Sequence, residues 1–135
     1  MTAVETVQAF IAAINQRDVD RLCRLMTDDH RFIDSLGSEI CGRDTMRQGW
    51  TAYFSMVPDY VIDVRETLVD GRVVLATGIA RGTYSPDGQL KPDDAWSTPA
   101  AWRAVVEDGR IATWQVFADN EPLRAILRKD ESPKA

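Results

Sequence analysis

Asp34 and His30 are the two side chains whose types and spacing could move a proton. The run His30-Arg31-Phe32-Ile33-Asp34 alternates polar and apolar residues as a short strand does, so His30, Phe32 and Asp34 share one face while Arg31 and Ile33 point the other way. Phe32 belongs in an interior, and Asp34 is expected there with it. A carboxylate in an apolar, partly dry site becomes a better proton acceptor near neutral pH. His30 is the only histidine and the only other group suited to proton transfer near pH 7. Four residues along a strand span about 13 Å, so the two cannot form a directly bonded dyad. His30 is therefore a candidate second acid or base at the mouth of a pocket, and a surface histidine opening a strand is the simpler alternative. Asp34 also precedes a turn over residues 35–38, where an aspartate can bond backbone N–H groups, and the sequence leaves both roles open.

Other chemistry is thinly represented. Cys23 and Cys41 form neither a C-x-x-C pair nor a disulfide framework. Cys23 falls on the apolar side of a predicted helix, Cys41 lies beside Gly42 in a connection, and both are expected to be buried or inert thiols. One histidine cannot build a histidine-rich metal site, and Asp93-Asp94 has no third ligand nearby, so no metal is expected. Aromatic candidates for a ligand site are Phe32, Trp50, Tyr53, Tyr84 and Trp114, with Val116 beside them. Tyr84 would follow Gly78, Ala80 and Gly82 on one strand face, small residues that leave room for a ligand. Core packing alone is the competing account of Trp50 and Trp114.

A net charge of -5 without any Lys/Arg cluster excludes a nucleic-acid footprint. The longest apolar stretch, residues 73–80, is interrupted by Thr77 and Gly78 and is far short of the roughly 18 residues of a membrane span. The amino terminus carries Glu5 and lacks a secretory pattern, so a cytoplasmic protein is expected. With 44% hydrophobic and 27% charged residues over 135 positions, the chain suits one globular domain, residues 1–135.

Periodicity supplies the elements. Residues 4–14 follow the i, i+3, i+4, i+7 rule of an amphipathic helix, and Asp18 can cap a second one whose stripe runs to Met26. Thr27, Asp28 and Asp29 are expected to end it, and residues 30–34 to form a short strand. A third helix is predicted from about Arg43 to Met56, stopped by Pro58, with Met46, Trp50, Tyr53 and Phe54 on its apolar side. Four strands follow at 60–69, 72–85, 95–107 and 110–118, and Asp70-Gly71 and Asp108-Gly109 join them into two antiparallel hairpins. Asp119 is read as the cap of a last helix, with residues 129–135 frayed. The class is α+β, a curved, mostly antiparallel sheet over helices.

That order, together with two segments, resembles the nuclear transport factor 2-like superfamily, which includes ketosteroid isomerase, limonene epoxide hydrolase and the SnoaL-like polyketide cyclases. Met26-Thr-Asp-Asp-His-Arg-Phe-Ile-Asp34-Ser-Leu-Gly37, followed by Gly42-Arg43-Asp44, is similar to a ketosteroid isomerase stretch. Asp108-Gly-Arg-Ile-Ala-Thr-Trp114-Gln-Val-Phe-Ala-Asp119 is similar to the ending of SnoaL-like proteins. The resemblance implies a cone whose sheet curls around the helices to enclose one apolar pocket for a small molecule, with no cofactor and a homodimeric assembly. It implies that Asp34 matches the general base of ketosteroid isomerase and that Trp50 faces the cavity. Phe10 and the neighbourhood of Ala101 match that enzyme's oxyanion donors, and neither side chain can donate, which argues against steroid isomerisation. Ile79, Arg81 and Val116 stand at the places of the epoxide hydrolase's Asp-Arg-Asp set, so that set is absent too. An isomerase or cyclase type of enzyme using Asp34 on an apolar, oxygen-bearing substrate is expected, with a noncatalytic ligand-binding or association domain as the alternative. The outer strand face of Thr77, Ile79, Arg81 and Thr83 is the expected dimer surface.

Overall fold

Thr2 starts the first helix. Its hydroxyl accepts from the Glu5 N–H (3.1 Å) while the Glu5 carboxylate accepts from the Thr2 N–H (2.9 Å), a capping box over α1 (Ala3–Asn15). Asp18 caps α2 (Val19–Arg24) by accepting from the Arg21 N–H at 3.1 Å. The computed structural model describes residues 1–131 and continues with β1 (Met26–Ile33), β2 (Glu39–Cys41), α3 (Arg43–Met56), β3 (Val61–Asp70), β4 (Val73–Thr83), β5 (Ala95–Glu107), β6 (Arg110–Ala118) and α4 (Glu121–Glu131). The helix expected to run on to Met26 stops at Arg24, because Thr27, Asp28 and Asp29 are already strand. Their turn-forming side chains lose to a parallel pairing of β1 with β6.

The strands make one open, six-stranded mixed sheet in the order β2-β1-β6-β5-β4-β3. All neighbours are antiparallel except β1 and β6. The β5–β6 hairpin turns at Asp108-Gly109, where φ is 50° and 74°, the paired positive values of a type I′ turn. In the first hairpin Asp70 pairs with Val73, so the loop is Gly71-Arg72, one residue later than the sequence suggests. β2 is an addition: three residues that pair only with β1, too short to show a period of their own.

Inward side chains of the sheet, among them Ile62, Val74, Trp102, Ala104, Ile111 and Trp114, pack on Val7, Phe10 and Ile14 of α1. Gly78 and Gly82 of β4 are small for a different reason than the one read from the sequence. A Cβ at Gly78 would overlap the Asp63 carbonyl oxygen where β3 bulges between Val64 and Glu66, and one at Gly82 would run into Val57. Thr83 is likewise not on an outer surface: it is buried, and its N–H (2.7 Å) and hydroxyl (2.8 Å) donate to the Asp59 carboxylate. Cys23 is buried, but Cys41 is exposed on the edge strand β2. Asp119 accepts from the Glu121 N–H (3.0 Å) at the start of α4. That helix runs through Glu131, so fraying does not begin at Lys129, and residues 132–135 lie outside those described.

His30 is neither at a pocket mouth nor on the surface. It is fully buried, 6.2 Å from the ring of Phe10, and its Nδ1 lies 2.7 Å from the Ile111 carbonyl oxygen. A carbonyl only accepts, so Nδ1 carries the proton, and the buried Nε2 has no partner among the described residues. Burial lowers the imidazole pKa, the bond to Ile111 opposing in part. The folded protein therefore holds a neutral ring, while the unfolded chain takes up a proton below about pH 6.5. The stability this ring supports is complete above that pH and is lost as pH falls through the lower folded-state value. Urea unfolding of the parent should weaken between pH 6.5 and 5, and His30→Gln, which keeps a donor for Ile111 but cannot titrate, should flatten the curve there. An equally steep curve in the variant would contradict this role.

Candidate functional site

A cavity of about 280 Å³ lies between α3 and the inner face of the sheet, just under the usual range for ligand sites. Helical spacing builds one wall: Met46, Gly49, Trp50 and Tyr53 stand at i, i+3, i+4 and i+7 of α3 and all line it. Strand alternation builds the facing wall from Trp114, Val116 and Ala118 of β6, with Phe32 beside Trp114 on β1. Tyr60, Ala80 and Trp96 close the far side. The rings form a connected run. Phe32 meets Trp50 edge-on (6.1 Å), Trp50 meets Tyr53 (6.5 Å), Tyr53 meets Tyr60 (4.9 Å, 86°) and Tyr60 meets Trp96 (6.1 Å).

Polar groups occupy two places. At the end of β1, Asp34 lines the cavity and also holds the turn, because its Oδ1 accepts from the N–H groups of Leu36 (2.9 Å) and Ser38 (3.0 Å). The cavity-facing place and the turn left open in the sequence thus coincide in one side chain: Oδ1 belongs to the turn, and Oδ2 has no hydrogen bond from the described residues. Next to it the Asn120 amide donates to the Ser35 hydroxyl at 2.7 Å, tying the end of β1 to the start of α4. On the other side stand the phenols of Tyr53 and Tyr60. Burial pushes both pKa values up, and for Tyr60 the neighbouring Tyr53 adds to the effect. Trp50 and Trp96 also carry buried indole N–H groups without partners among the described residues, each costing about 1–3 kcal/mol if left unmatched.

Asp34, Phe32, Trp50, Tyr53, Trp114 and Val116 all line this cavity; His30 and Tyr84 do not. Tyr84 is a correction of the alternation rule. β4 ends at Thr83, and the Tyr84 N–H bonds the Asp94 carbonyl (3.0 Å), so the chain has left the sheet before the tyrosine. Ser35, Ile40, Tyr60, Trp96 and Asn120 went unforeseen as lining residues. Met46, Gly49 and Ala118 share the periodicity of residues that were singled out, whereas Tyr60, Trp96 and Asn120 arrive only through strand pairing and helix docking. Phe10 packs against Trp114 at 4.8 Å, and Ala101 sits opposite Phe117 on the outward face of β5, so neither place offers a donor. Arg81 pairs with Asp63 (3.8 Å), away from the cavity. Among the described residues no three His, Cys, Asp or Glu side chains come together as a metal site, and no helix is long and apolar enough to cross a membrane.

The family model for the SnoaL-like domain matches residues 7–114. No curated protein matches the sequence. Among solved structures, a candidate SnoaL-like polyketide cyclase from Shewanella denitrificans superposes with a TM-score of 0.80 at 12% identity, over 94% of this chain and 97% of the other. A limonene-epoxide-hydrolase-like enzyme of Mycobacterium tuberculosis gives 0.77 at 20% identity, over 94% and 90%. A cystatin-fold protein from Novosphingobium aromaticivorans gives 0.70 at 26% identity, over 87% and 98%. The first two similarities establish the fold.

The double use of Asp34 separates two substitutions. Asn keeps an oxygen for the Leu36 and Ser38 amides, so Asp34→Asn should change unfolding free energy by less than about 0.5 kcal/mol. Asp34→Ala removes the acceptor for both and should cost about 1–2 kcal/mol. Equal losses in chemical denaturation would show that the turn does not depend on Oδ1.

Proposed function

The chain belongs to the SnoaL-like domain family, and on that premise we propose that it is a proton-transfer enzyme of the isomerase or cyclase type in which Asp34 works on a small, mostly apolar substrate bearing a carbonyl. One observation carries this reading: Asp34 is the only charged side chain among the residues lining a cavity otherwise built of aromatic, aliphatic and neutral polar groups. A base there needs no cationic partner to orient it, because the turn amides already hold one of its oxygens. In the step proposed, the Asp34 carboxylate takes a proton from the carbon next to the carbonyl, the C–H electron pair moves into the new enolate, and the proton returns to the same or a neighbouring carbon. Nothing is consumed, so the reaction calls for no co-reactant.

The similar solved structures include a candidate polyketide cyclase and an epoxide hydrolase, both in keeping with oxygenated substrates. Water activation of the hydrolase kind is less well supported here, because Ile79 and Arg81 face away from the cavity and Val116 contributes no acid. A noncatalytic ligand-binding role is the second reading, and the engagement of Oδ1 by two backbone amides favours it, since those bonds suit a carboxylate that only shapes a turn.

Proton exchange decides between them. In heavy water the parent should catalyse deuterium incorporation into the methyl group of 2-acetonaphthone, a flat ketone of suitable size. Asp34→Asn should slow that exchange about 10²- to 10⁴-fold without loss of ketone binding. Ketone binding by the parent with exchange no faster than in buffer would leave the binding role and remove the enzymatic one.

A further inference from the structure

Strand order separates the two polar places of the cavity. Asp34, Ser35 and Asn120 gather at the end of β1, while Tyr60 leads into β3 and stands with Ala80 of β4 and Trp96 of β5. From β1 to β4 the sheet passes through β6 and β5, three spacings that amount to about 14 Å when flat and less when curved. The lining between them is carried by Phe32, Trp50 and Trp114. Tyr53 and Tyr60 meet edge-to-face at 4.9 Å on the far side, and neither hydroxyl has a hydrogen-bond partner among the described residues. The backbone of Tyr60 is fixed on both sides, its N–H donating to the Val57 carbonyl (3.1 Å) and its own carbonyl accepting from the Arg17 guanidinium (3.2 Å). Two protonated phenols in a cavity wall, unmatched by the described residues, are donors waiting for an acceptor.

We propose that Tyr53 and Tyr60 form a second polar subsite that binds a substrate oxygen remote from the reacting carbon, so that the substrate is a flat, conjugated molecule with an oxygen at each end. The inference rests on the reading of the cavity as a substrate site, and it adds the length and polarity of what enters. The aromatic middle accepts a planar ring system by stacking and edge contacts. The Asp34 end handles the carbonyl and its acidic C–H, and the two phenols fix the opposite oxygen and with it the direction in which the molecule lies. Because burial keeps both hydroxyls protonated, this recognition should not vary with pH across the physiological range.

The test compares two probes by calorimetry: 2-acetonaphthone, and 6-hydroxy-2-acetonaphthone, which carries a second oxygen at the far end of the same ring system. The parent should bind the hydroxylated ketone about tenfold more tightly. Tyr53→Phe and Tyr60→Phe should each reduce that preference by about threefold, and the double variant should bind the two ketones equally, with 2-acetonaphthone affinity little changed. No preference in the parent overturns the subsite without need of any variant, and so does a preference that survives in the double variant. Preference without deuterium exchange supports the subsite while ending the role given to Asp34; exchange without preference does the reverse. Asp34→Asn should leave the preference intact, and its disappearance in that variant would count against two separate subsites.

Discussion

The parallel pairing of β1 with β6 is the constraint on which the site depends. The register is irregular between Met26 and Arg31, and the gap is bridged by side chain and backbone together: the Ile111 N–H donates to the Leu25 carbonyl at 2.6 Å, and the buried His30 ring lies 2.7 Å from the Ile111 carbonyl. Beyond the irregularity Phe32 stands opposite Trp114. A strand has a period of two, so a slip of one residue would turn Phe32 and Asp34 to the other face and bring Arg31 and Ile33 inward. His30 thus stands between β1 and β6, where its contact with Ile111 supports the register, and not in the cavity wall. Its Nε2, unmatched among the described residues, is the cost of placing an imidazole where they bring one acceptor within reach.

With that register set, the cavity is what the remaining side chains fail to fill. The bulky rings of α3 stand at Trp50 and Tyr53 with Gly49 beside them on the same helix, while Ala80 and Ala118 of the sheet present little opposite them. The rings of the walls meet in sequence, from Phe32 through Trp50, Tyr53 and Tyr60 to Trp96. Into this surround comes a single carboxylate, held by a turn formed from its own neighbours. On the proposed reading one side chain serves local structure and chemistry at once: the bonds that orient Asp34 also occupy one of its oxygens, and the proton transfer falls to the other.

Much of this was readable beforehand where a repeat runs long enough to be distinctive. α3 begins and ends where its apolar spacing and Pro58 predicted, and β5 and β6 match because Asp108-Gly109 can take the two positive φ values their turn needs. Lining by Trp50, Trp114 and Val116 follows from the same periods. The failures share a cause, since each depended on pairing between distant segments. Thr27, Asp28 and Asp29 look like a turn until β6 is beside them, β2 exists only because β1 offers an edge, and Tyr84 keeps the strand alternation after the strand has ended. Tyr60, Trp96 and Asn120 come from three separate stretches that only the folded sheet brings together. His30 carried a real signal of inwardness, its shared face with Phe32, but nothing local distinguished a core ring from one at a pocket mouth.

A crystal structure of the Asp34→Asn variant with 2-acetonaphthone bound tests the central claim most directly, since the substitution keeps the turn and stops the reaction. The account predicts the naphthalene among the rings of Phe32, Trp50 and Trp114, the ketone methyl carbon in contact with the free side-chain atom at position 34, and the Leu36 and Ser38 amides still bonded to the other. A ketone lying elsewhere, or a side chain at position 34 turned out of the cavity with both of its polar atoms committed to the loop, would contradict it.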